Sequence, residues 1–255
     1  MRLAAVRFLP SLIRPEDLSG TCVIMTDVLR ASSTIISALA NGANQVIPQA
    51  EIADSIAKAN ELREASSRGV LIGGERGGKI IDGFNAGNSP LEYGRDKVEG
   101  RDIVLCTSNG TWALGFCRGA DRILIGAFNN LSAVVAEASK SERVLVCCAG
   151  TDRYITAEDT LFAGAVVDRI ANDSGVDGSG IQLDDPALIV RSQWVVAQQN
   201  LKDHNMRQLL SITKGGINLL NLNYDHDVEF CSRIDEVAVV PELDQNTWTI
   251  RLVEC

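Results

Sequence analysis

The chain has 255 residues but only two histidines, His204 and His226. This scarcity argues against a histidine nucleophile and against a metal site built from several histidines. Any bound metal would be held mostly by oxygen atoms, which favours Mg²⁺ or Mn²⁺. The seven cysteines form no CxxC pair, and several lie in apolar runs such as VLVCC. We therefore expect reduced thiols in a cytoplasmic protein.

Long apolar runs and an excess of basic residues are also absent. No run approaches the roughly 18 residues of a membrane span, so no membrane partner is expected. Arg7, Pro10 and Arg14 interrupt the stretch that would be apolar in a signal peptide, so we interpret the amino terminus as mature protein. The formal charge of -9 gives no global field that would attract nucleic acid. A single cleft can still bind a small anion.

Apolar runs of strand length alternate with amphipathic segments of helix length, and hydrophobic residues make up 45% of the chain. This alternation predicts an α/β protein with a largely parallel sheet and helices on both faces, as a single domain over residues 1–255. The predicted strands are 22–26, 45–48, 103–107, 122–126 and 143–148, with closing strands at 228–240 and 246–253. The predicted helices are 32–41, 51–65, 109–118, 130–139 and 157–171, with further helix over 186–222.

An internal repeat links two of these units. Residues 34–44 align without a gap to residues 111–121, at an offset of 77 positions, and each segment follows a strand and leads into another. Either a duplication or two βαβα units that obey the same packing rules explains the match. The segment 73–94 between them holds seven glycines and little periodicity, which is typical of a functional loop. The polar stretch 172–185 is interpreted as a plain surface connection.

The first candidate site follows the predicted strand 22–26. Asp27 comes at the carboxyl end of that strand, where ligands bind in open α/β sheets. Ser32, Ser33 and Thr34 lie at the start of the next helix, where free amides favour an anion. Arg30 adds a bidentate donor for a phosphate, sulfonate or carboxylate group. A helix cap next to a surface arginine would explain the same residues.

Three other segments carry candidate residues. Thr107, Ser108, Asn109, Gly110 and Thr111 repeat the strand-to-helix arrangement without the acid, which also fits an ordinary capped helix. In the glycine-rich loop, Glu75, Arg76 and Lys79 suit metal and anion binding, and their spacing matches neither a Walker P-loop nor GxGxxG. Glu158 and Asp159 open a helix after the strand 143–148, where acids commonly serve as partners of the helix dipole. Acids from separate segments could together hold an octahedral cation.

These segments together resemble a known family. DVLRASSTIISALANGA, GGERGGKIIDGFNAGNSPLEY, TSNGTWAL, CAGTDRYITAEDTLFAG and DVEFCSRIDEVAVVP occur in that order, and the likeness to the 2-phosphosulfolactate phosphatase family extends from about residue 22 to 241. The resemblance implies a three-layer α/β/α fold and a magnesium-dependent phosphatase. It implies hydrolysis of 2-phosphosulfolactate to 3-sulfolactate and phosphate, in coenzyme M biosynthesis.

From the residues and this resemblance we predict three groups of site residues. The catalytic group is Asp27, Arg30, Glu75 and Arg76, in which Arg30 anchors the substrate and its removal impairs turnover more than folding. The substrate-binding group is Ser32, Ser33, Thr34, Lys79, Thr107, Ser108, Asn109, Gly110 and Thr111. The metal ligands come from Asp27, Glu75, Glu158 and Asp159. The expected cofactor is Mg²⁺, and the expected substrate is a small anionic phosphate ester. The chain could also form a homo-oligomer.

Alternatives stay open at this stage. The chain could act on another small phosphorylated acid, or it could bind a small anion without catalysis. The attacking group could be water or Asp27 itself. DVLR lacks the second aspartate of the DxD signature that aspartyl-phosphate enzymes of the haloacid dehalogenase type carry, which favours direct attack by water.

Overall fold

A computed structural model describes residues 2–173, 180–200 and 205–253. His204 and Cys255 lie outside the described residues. The strands are β1 Arg2–Arg7, β2 Cys22–Thr26, β3 Gln45–Gln49, β4 Val70–Arg76, β5 Lys79–Ile80, β6 Asp102–Cys106, β7 Arg122–Ile125, β8 Arg143–Cys148, β9 Ile181–Leu183, β10 Pro241–Asp244 and β11 Thr249–Leu252. The helices are α1 Ala31–Ala40, α2 Ile52–Ala65, α3 Arg95–Val98, α4 Gly110–Phe116, α5 Leu131–Ala138, α6 Ala157–Asp173, α7 Asp185–Asn200, α8 Met206–Ser211, α9 Lys214–Asn221 and α10 Asp225–Cys231.

The strands and helices predicted within residues 22–171 are present, with shifts of one or two residues at their ends. Strands β4 and β5 and helix α3 were not predicted, and the two strands occupy part of the segment 73–94 that was interpreted as a loop. The C-terminal third differs further. The strand predicted at 228–240 is wrong: α10 occupies its start, and β10 begins only at Pro241. Val228 and Cys231 are buried three positions apart, which is the spacing of a helix face. The helix predicted over 186–222 is divided, because Asn205 and Thr213 cap the amino ends of α8 and α9.

The amino-terminal strand β1 and its partner β9 were not anticipated. β1 pairs in parallel with β8 on one side and with β9 on the other. β9 lies in the stretch 172–185, which was interpreted as a plain surface connection. Residues 174–179 of that stretch are not among the residues that the structure describes. The three residues of β9 give almost no periodic signal, which is why the sequence pattern did not reveal the strand.

The eleven strands form one mixed sheet in the order β5-β4-β6-β3-β11-β10-β7-β2-β8-β1-β9. β4, β6 and β3 are parallel to one another, and so are β7, β2, β8, β1 and β9. The antiparallel hairpin β10–β11 joins these two parallel halves. The last strands of the chain therefore complete the sheet at its centre.

The internal repeat extends from the sequence to the topology. One unit is β2-α1-β3-α2-β4 and the other is β6-α4-β7-α5-β8. On one side of the central hairpin the strands follow in the order β3, β6 and β4, and on the other side in the order β7, β2 and β8. Each strand of one series occupies the same place in its unit as the matching strand of the other series. Each unit therefore places strands in both halves, and the helices that follow β2 and β6 start side by side.

Helices cover both faces of the sheet, which gives a three-layer α/β/α fold. Along β2, Cys22 and Ile24 face a core shared with α5, α6 and α7, while Val23 and Met25 face a core shared with α1 and α4. A smaller cluster packs beneath α2. The six described cysteines are buried free thiols. None of the helices in the described part of the chain is long and apolar enough to span a membrane.

A partly buried ion-pair network ties β1 to the segments that hold Asp17 and Asp184. The Arg7 guanidinium donates to the Asp17 carboxylate at 2.6 and 3.0 Å and to Asp184 at 2.7 Å. Burial alone would raise the pKa of Asp17, but hydrogen bonds from Arg7 and from the Arg14 amide outweigh it and hold the pKa below its usual value. Ionised Asp17 therefore stabilises the fold.

We expect Asp17→Asn to lower the free energy of unfolding at pH 7 by about 1–3 kcal/mol, because it removes charge-assisted hydrogen bonds. The folded pKa is depressed, so this stabilisation is present above the ordinary pKa of 3.8 and is lost as the pH falls below it. Urea unfolding of the variant and the parent at pH 7 and pH 3 measures the difference. Glu16→Gln, at an exposed neighbouring acid, is the control and should change little. A loss for Asp17→Asn that is equal at both pH values would contradict the assignment.

Candidate active site

A polar cavity of about 390 Å³ opens where loops from both halves of the sheet meet. Its walls include the residues after β2, the β4–β5 turn, the loops after β6 and β8, and helix α9. We call it the acidic cavity, because Asp27, Glu75 and Asp152 line it. It joins all four segments that the sequence singled out, the fourth through Thr151 in the loop after β8, whereas Glu158 and Asp159 do not line it.

Asp27 lies on the floor of the acidic cavity and is 7% exposed. Its Oδ1 accepts a hydrogen bond from the Ala31 amide at 3.3 Å. A Cβ on Gly110 would lie only 3.0 Å from Asp27 Oδ2 and 2.7 Å from the Ala31 side chain, so glycine is required where α1 and α4 begin side by side. Burial raises the pKa of Asp27 to about 7, and repulsion from Glu75 and Glu158 adds to this rise.

Glu75 joins two loops beneath the cavity wall. Its Oε2 accepts from the Gly78 amide at 2.8 Å, and its Oε1 accepts from the Ser108 amide, also at 2.8 Å. The side chain is buried yet lines the cavity. One carboxylate therefore fixes the β4–β5 turn against the loop after β6.

The two acids that open α6 differ in how their oxygens are used. Asp159 Oδ1 accepts from the Val28 amide at 2.9 Å, and Oδ2 accepts from the Gly150 amide at 2.9 Å and from the Thr156 hydroxyl. Glu158 Oε2, in contrast, is buried with no hydrogen-bond partner. Burial raises the pKa of both carboxyls. Asp159 therefore holds two loops together, whereas Glu158 keeps an oxygen available.

The donor set fits a hard divalent cation. Residues 2–173, 180–200 and 205–253 contain no group of three His, Cys, Asp or Glu side chains already gathered as metal ligands. Mg²⁺ does not require one, because it commonly binds through one or two carboxylates, several waters and the substrate phosphate. The unpartnered oxygen of Glu158 and the floor position of Asp27 suit that mode. The Asp159 oxygens are the least available of the four acids.

Arg30 is held by the protein itself. The guanidinium donates to Asp227 Oδ2 at 2.5 Å and to the Gly78 carbonyl at 2.9 Å, and it stacks on the Tyr224 ring at 4.3 Å. Asp227 Oδ1 accepts from the Ser89 hydroxyl at 2.6 Å. Arg30 and Asp227 are both buried. Arg30 lines the cavity, but a buried carboxylate already offsets its charge, which the sequence did not indicate.

The hydroxyls at the start of α1 are fully buried beneath the site. Ser32 Oγ accepts from the Asp27 amide at 2.9 Å, Ser33 Oγ donates to the Val28 carbonyl at 3.0 Å, and Thr34 Oγ1 donates to the Asn88 carbonyl at 2.9 Å. None of the three lines the acidic cavity. This geometry assigns them to the positioning of Asp27 and of the loop that holds Asn88.

The second predicted anion loop is partly at the cavity. Ser108 and Asn109 line it, and Asn109 Oδ1 accepts from the Asp152 amide at 3.2 Å. Thr107 and Thr111 bond to each other across the helix start. Gly110 has no side chain, and this allows the start of α4 to approach Asp27 and Ala31. Two of the five predicted residues of this loop therefore line the acidic cavity, and a substrate-binding role for them stays a prediction.

The two predicted cations of the glycine-rich loop do not line the acidic cavity. Lys79 is exposed on β5. Arg76 lies beside the acidic cavity, against a second cavity, and donates to the carbonyls of Glu75 and Ala50. A substrate role for Lys79 stays a prediction without a contact to support it.

Sequence reasoning missed several residues of the site. Asn88 lines the cavity and carries a buried Oδ1 without a partner, and Gly215, Asn218 and Asn221 of α9 form the opposite wall. Asp227 opens the motif DVEFCSRIDEVAVVP, so its place in that motif was a usable signal. The α9 residues carry no charge or recognisable spacing, so only the fold reveals them.

Comparison with known proteins identifies the family of this chain. The family model described as 2-phosphosulpholactate phosphatase matches residues 7–246. A protein of Symbiobacterium thermophilum is 37% identical over 229 residues, which cover 89% of this chain and 92% of the relative. One of Thermotoga maritima is 36% identical over 228 residues, covering 89% and 91%. One of Clostridium perfringens is 32% identical over 231 residues, covering 90% and 89%. All three carry the name "Probable 2-phosphosulfolactate phosphatase".

The buried pair changes what is expected of Arg30→Ala. Removing the arginine leaves Asp227 as an unpaired buried carboxylate, so we expect the free energy of unfolding to fall by about 3–5 kcal/mol. The double variant Arg30→Ala/Asp227→Ala should lose clearly less than the sum of the two single variants, because neither charge is left alone. Denaturant unfolding measures all three. Additive losses would show that the pair is not coupled.

Asp27→Asn is expected to fold at least as stably as the parent. At pH 8 without divalent cations, we expect its free energy of unfolding to be equal or about 1 kcal/mol higher, because the amide carries no charge to bury beside Glu75 and Glu158. The folded pKa of Asp27 is raised, so the parent loses stability as the pH rises towards and past about 7, and the advantage of asparagine should grow with pH. Thermal unfolding at pH 5 and pH 8 measures this. A marked destabilisation at pH 8 would contradict it.

Proposed function

Because the chain belongs to the 2-phosphosulpholactate phosphatase family, we propose that it hydrolyses 2-phosphosulfolactate to 3-sulfolactate and inorganic phosphate. Relatives across the family carry the name of a phosphoric monoester hydrolase. We further propose that the reaction depends on Mg²⁺ and belongs to coenzyme M biosynthesis. The observation that carries the proposal is the set of buried carboxylates around one polar cavity.

The charge of the substrate explains why these carboxylates favour a metal enzyme. A molecule with phosphate, sulfonate and carboxylate groups carries about four negative charges near pH 7. Asp27, Glu75 and Glu158 would repel it, and the charge of Arg30 is already offset by Asp227. A bound cation turns this repulsion into attraction. Mg²⁺, held by Asp27 and Glu158, would neutralise and polarise the phosphate group.

The residues of this chain position the reacting group. Glu75 holds the Ser108 amide and the Gly78 turn in place, so the walls around Asp27 stay fixed. Asn88 presents its unpartnered oxygen from the buried side. The hydroxyls of Ser32 and Ser33 fix the backbone on either side of Asp27. Such prepared geometry lowers the barrier, because little has to move as the phosphate reacts.

We propose that water attacks the phosphorus atom directly. The sequence DVLR lacks the second aspartate of the DxD signature, and Asp27 Oδ1 already accepts the Ala31 amide, so we assign Asp27 to the activation of water rather than to nucleophilic attack. Asp27 can take a proton from the attacking water through the oxygen that does not hold the cation. The P–O bond to the carbon skeleton then breaks, and the 2-hydroxyl of sulfolactate takes up a proton.

The test is phosphate release from 2-phosphosulfolactate by protein stripped of divalent cations. We expect release with added Mg²⁺ and none with a chelator. Asp27→Asn and Glu158→Gln should each lower turnover by about 100-fold or more, while their folding is preserved. Glu64→Gln, at an exposed acid of α2, is the matched control and should keep full activity.

Two results would contradict the proposal. Equal release with the chelator would contradict the role of Mg²⁺. Rapid release from other phosphorylated acids together with none from 2-phosphosulfolactate would contradict the substrate.

A further inference from the structure

A second cavity of about 420 Å³ adjoins the acidic cavity. Ser108, Asn109 and Asp152 line both, so one small molecule can contact the two cavities at once. We call it the Arg153 cavity, and it is lined by Arg76, Trp112 and Arg153 in addition to those shared residues. Its lining is thus cationic and aromatic where that of its neighbour is acidic.

Arg153 is presented by a tight turn. Asp152 and Arg153 have φ of 51° and 64°, and the amides and carbonyls of Thr151 and Tyr154 bond to each other at 2.9 and 3.0 Å across them. Two successive left-handed residues are typical of primed turns, which favour asparagine and glycine. An arginine at the second position is a poor choice for the turn itself. Its presence there points to a use of the side chain.

The Arg153 charge is free of a carboxylate partner. The guanidinium lies 5.4 Å from the Trp112 ring centroid. Within the three described ranges, no acidic group lies within 4.0 Å of it. Arg76 also has no carboxylate partner among the described residues, since its guanidinium donates to the carbonyls of Glu75 and Ala50 and to Cys106 Sγ. Both cations can therefore take an added anion.

The acids at the rim do not cancel these cations. Asp152 Oδ2 lies 4.0 Å from Lys214 Nζ, and its side chain is 71% exposed, so solvent screens its charge. Glu51 is exposed to solvent at the start of α2 and bonds to neither arginine. The Arg153 cavity thus offers two guanidinium groups to a ligand whose phosphate lies in the acidic cavity.

We infer that the Arg153 cavity is a subsite for the sulfonate group of the substrate, and that Arg153 determines the specificity for it. This inference rests on the proposed function. The sulfur atom is four bonds from phosphorus, through oxygen and two carbons, whereas the carboxylate carbon is three bonds away. The sulfonate therefore reaches further from the phosphate, into the adjoining cavity. A weakly hydrated guanidinium on an aromatic ring suits such a group.

The experiment compares Arg153→Gly, Arg153→Lys and the parent. Glycine suits the turn at φ 64°, so Arg153→Gly should fold normally. The control is Arg118→Gly, because Arg118 also stacks on a tryptophan, Trp248, at 4.0 Å, and does not line either cavity. Two measurements are made: kcat/KM for 2-phosphosulfolactate and for 2-phospholactate, which lacks the sulfonate, and calorimetric binding of 3-sulfolactate and of lactate.

We expect the parent and Arg118→Gly to prefer the sulfonate-bearing molecule in both measurements. Arg153→Gly should reduce that preference by about ten- to a hundredfold, as expected for a lost charge-assisted contact. Arg153→Lys should retain part of it, and 2-phospholactate should be turned over equally by all variants. An unchanged preference in Arg153→Gly would overturn the subsite.

The binding arm separates this inference from the proposed function. If the parent fails to hydrolyse 2-phosphosulfolactate but prefers 3-sulfolactate over lactate through Arg153, the phosphatase assignment fails and the subsite stands. If the parent hydrolyses the substrate and Arg153→Gly keeps its preference in both measurements, the subsite fails and the phosphatase assignment stands.

Discussion

The burial of several carboxylates around one cavity, whose lining arginine is already paired with a carboxylate, is the constraint on which the site depends. Asp27, Glu75 and Glu158 lie close enough for the last two to raise the pKa of Asp27. Two glycines permit this approach: a Cβ at Gly110 would crowd Asp27, and one at Gly215 would overlap Glu158. Among the described residues, Arg30 is the arginine that lines this cavity, and Asp227 offsets its charge. The protein therefore leaves its acids to be balanced by something that it binds.

The topology explains how acids from distant segments meet. Two equivalent βαβαβ units exchange strands across the sheet, and the central hairpin β10–β11 separates the halves. Helices α1 and α4 follow equivalent strands of these units, and they start in contact at Ala31 and Gly110. One unit supplies an acid at this junction, and the other supplies a glycine and an open loop. The cavity is asymmetric although the scaffold that builds it is repeated.

The sequence predicted the α/β alternation of residues 22–171, and it placed Asp27 directly after a strand, because both follow from short-range patterns. Strand β2 and the aspartate after it are visible as an apolar run that ends in a charge. The roles of Arg30 and Thr34 could not be predicted, because their partners, Asp227 and the Asn88 carbonyl, lie 197 and 54 residues away in the chain. Helix α10 was mistaken for a strand, since a buried face of two residues gives too little periodicity to decide.

Charge is divided between two adjoining cavities, and this division limits what can bind productively. An anion that carries phosphate alone gains from a cation held by the acids but leaves Arg76 and Arg153 unused. A dianionic ligand without phosphate reaches the arginines but gains little at the acids. On the proposed function and subsite, a molecule with a phosphate and a second anionic group a few bonds away would satisfy both cavities, which share Ser108, Asn109 and Asp152. Specificity would then arise from the spacing of the two anionic groups rather than from the shape of either cavity alone.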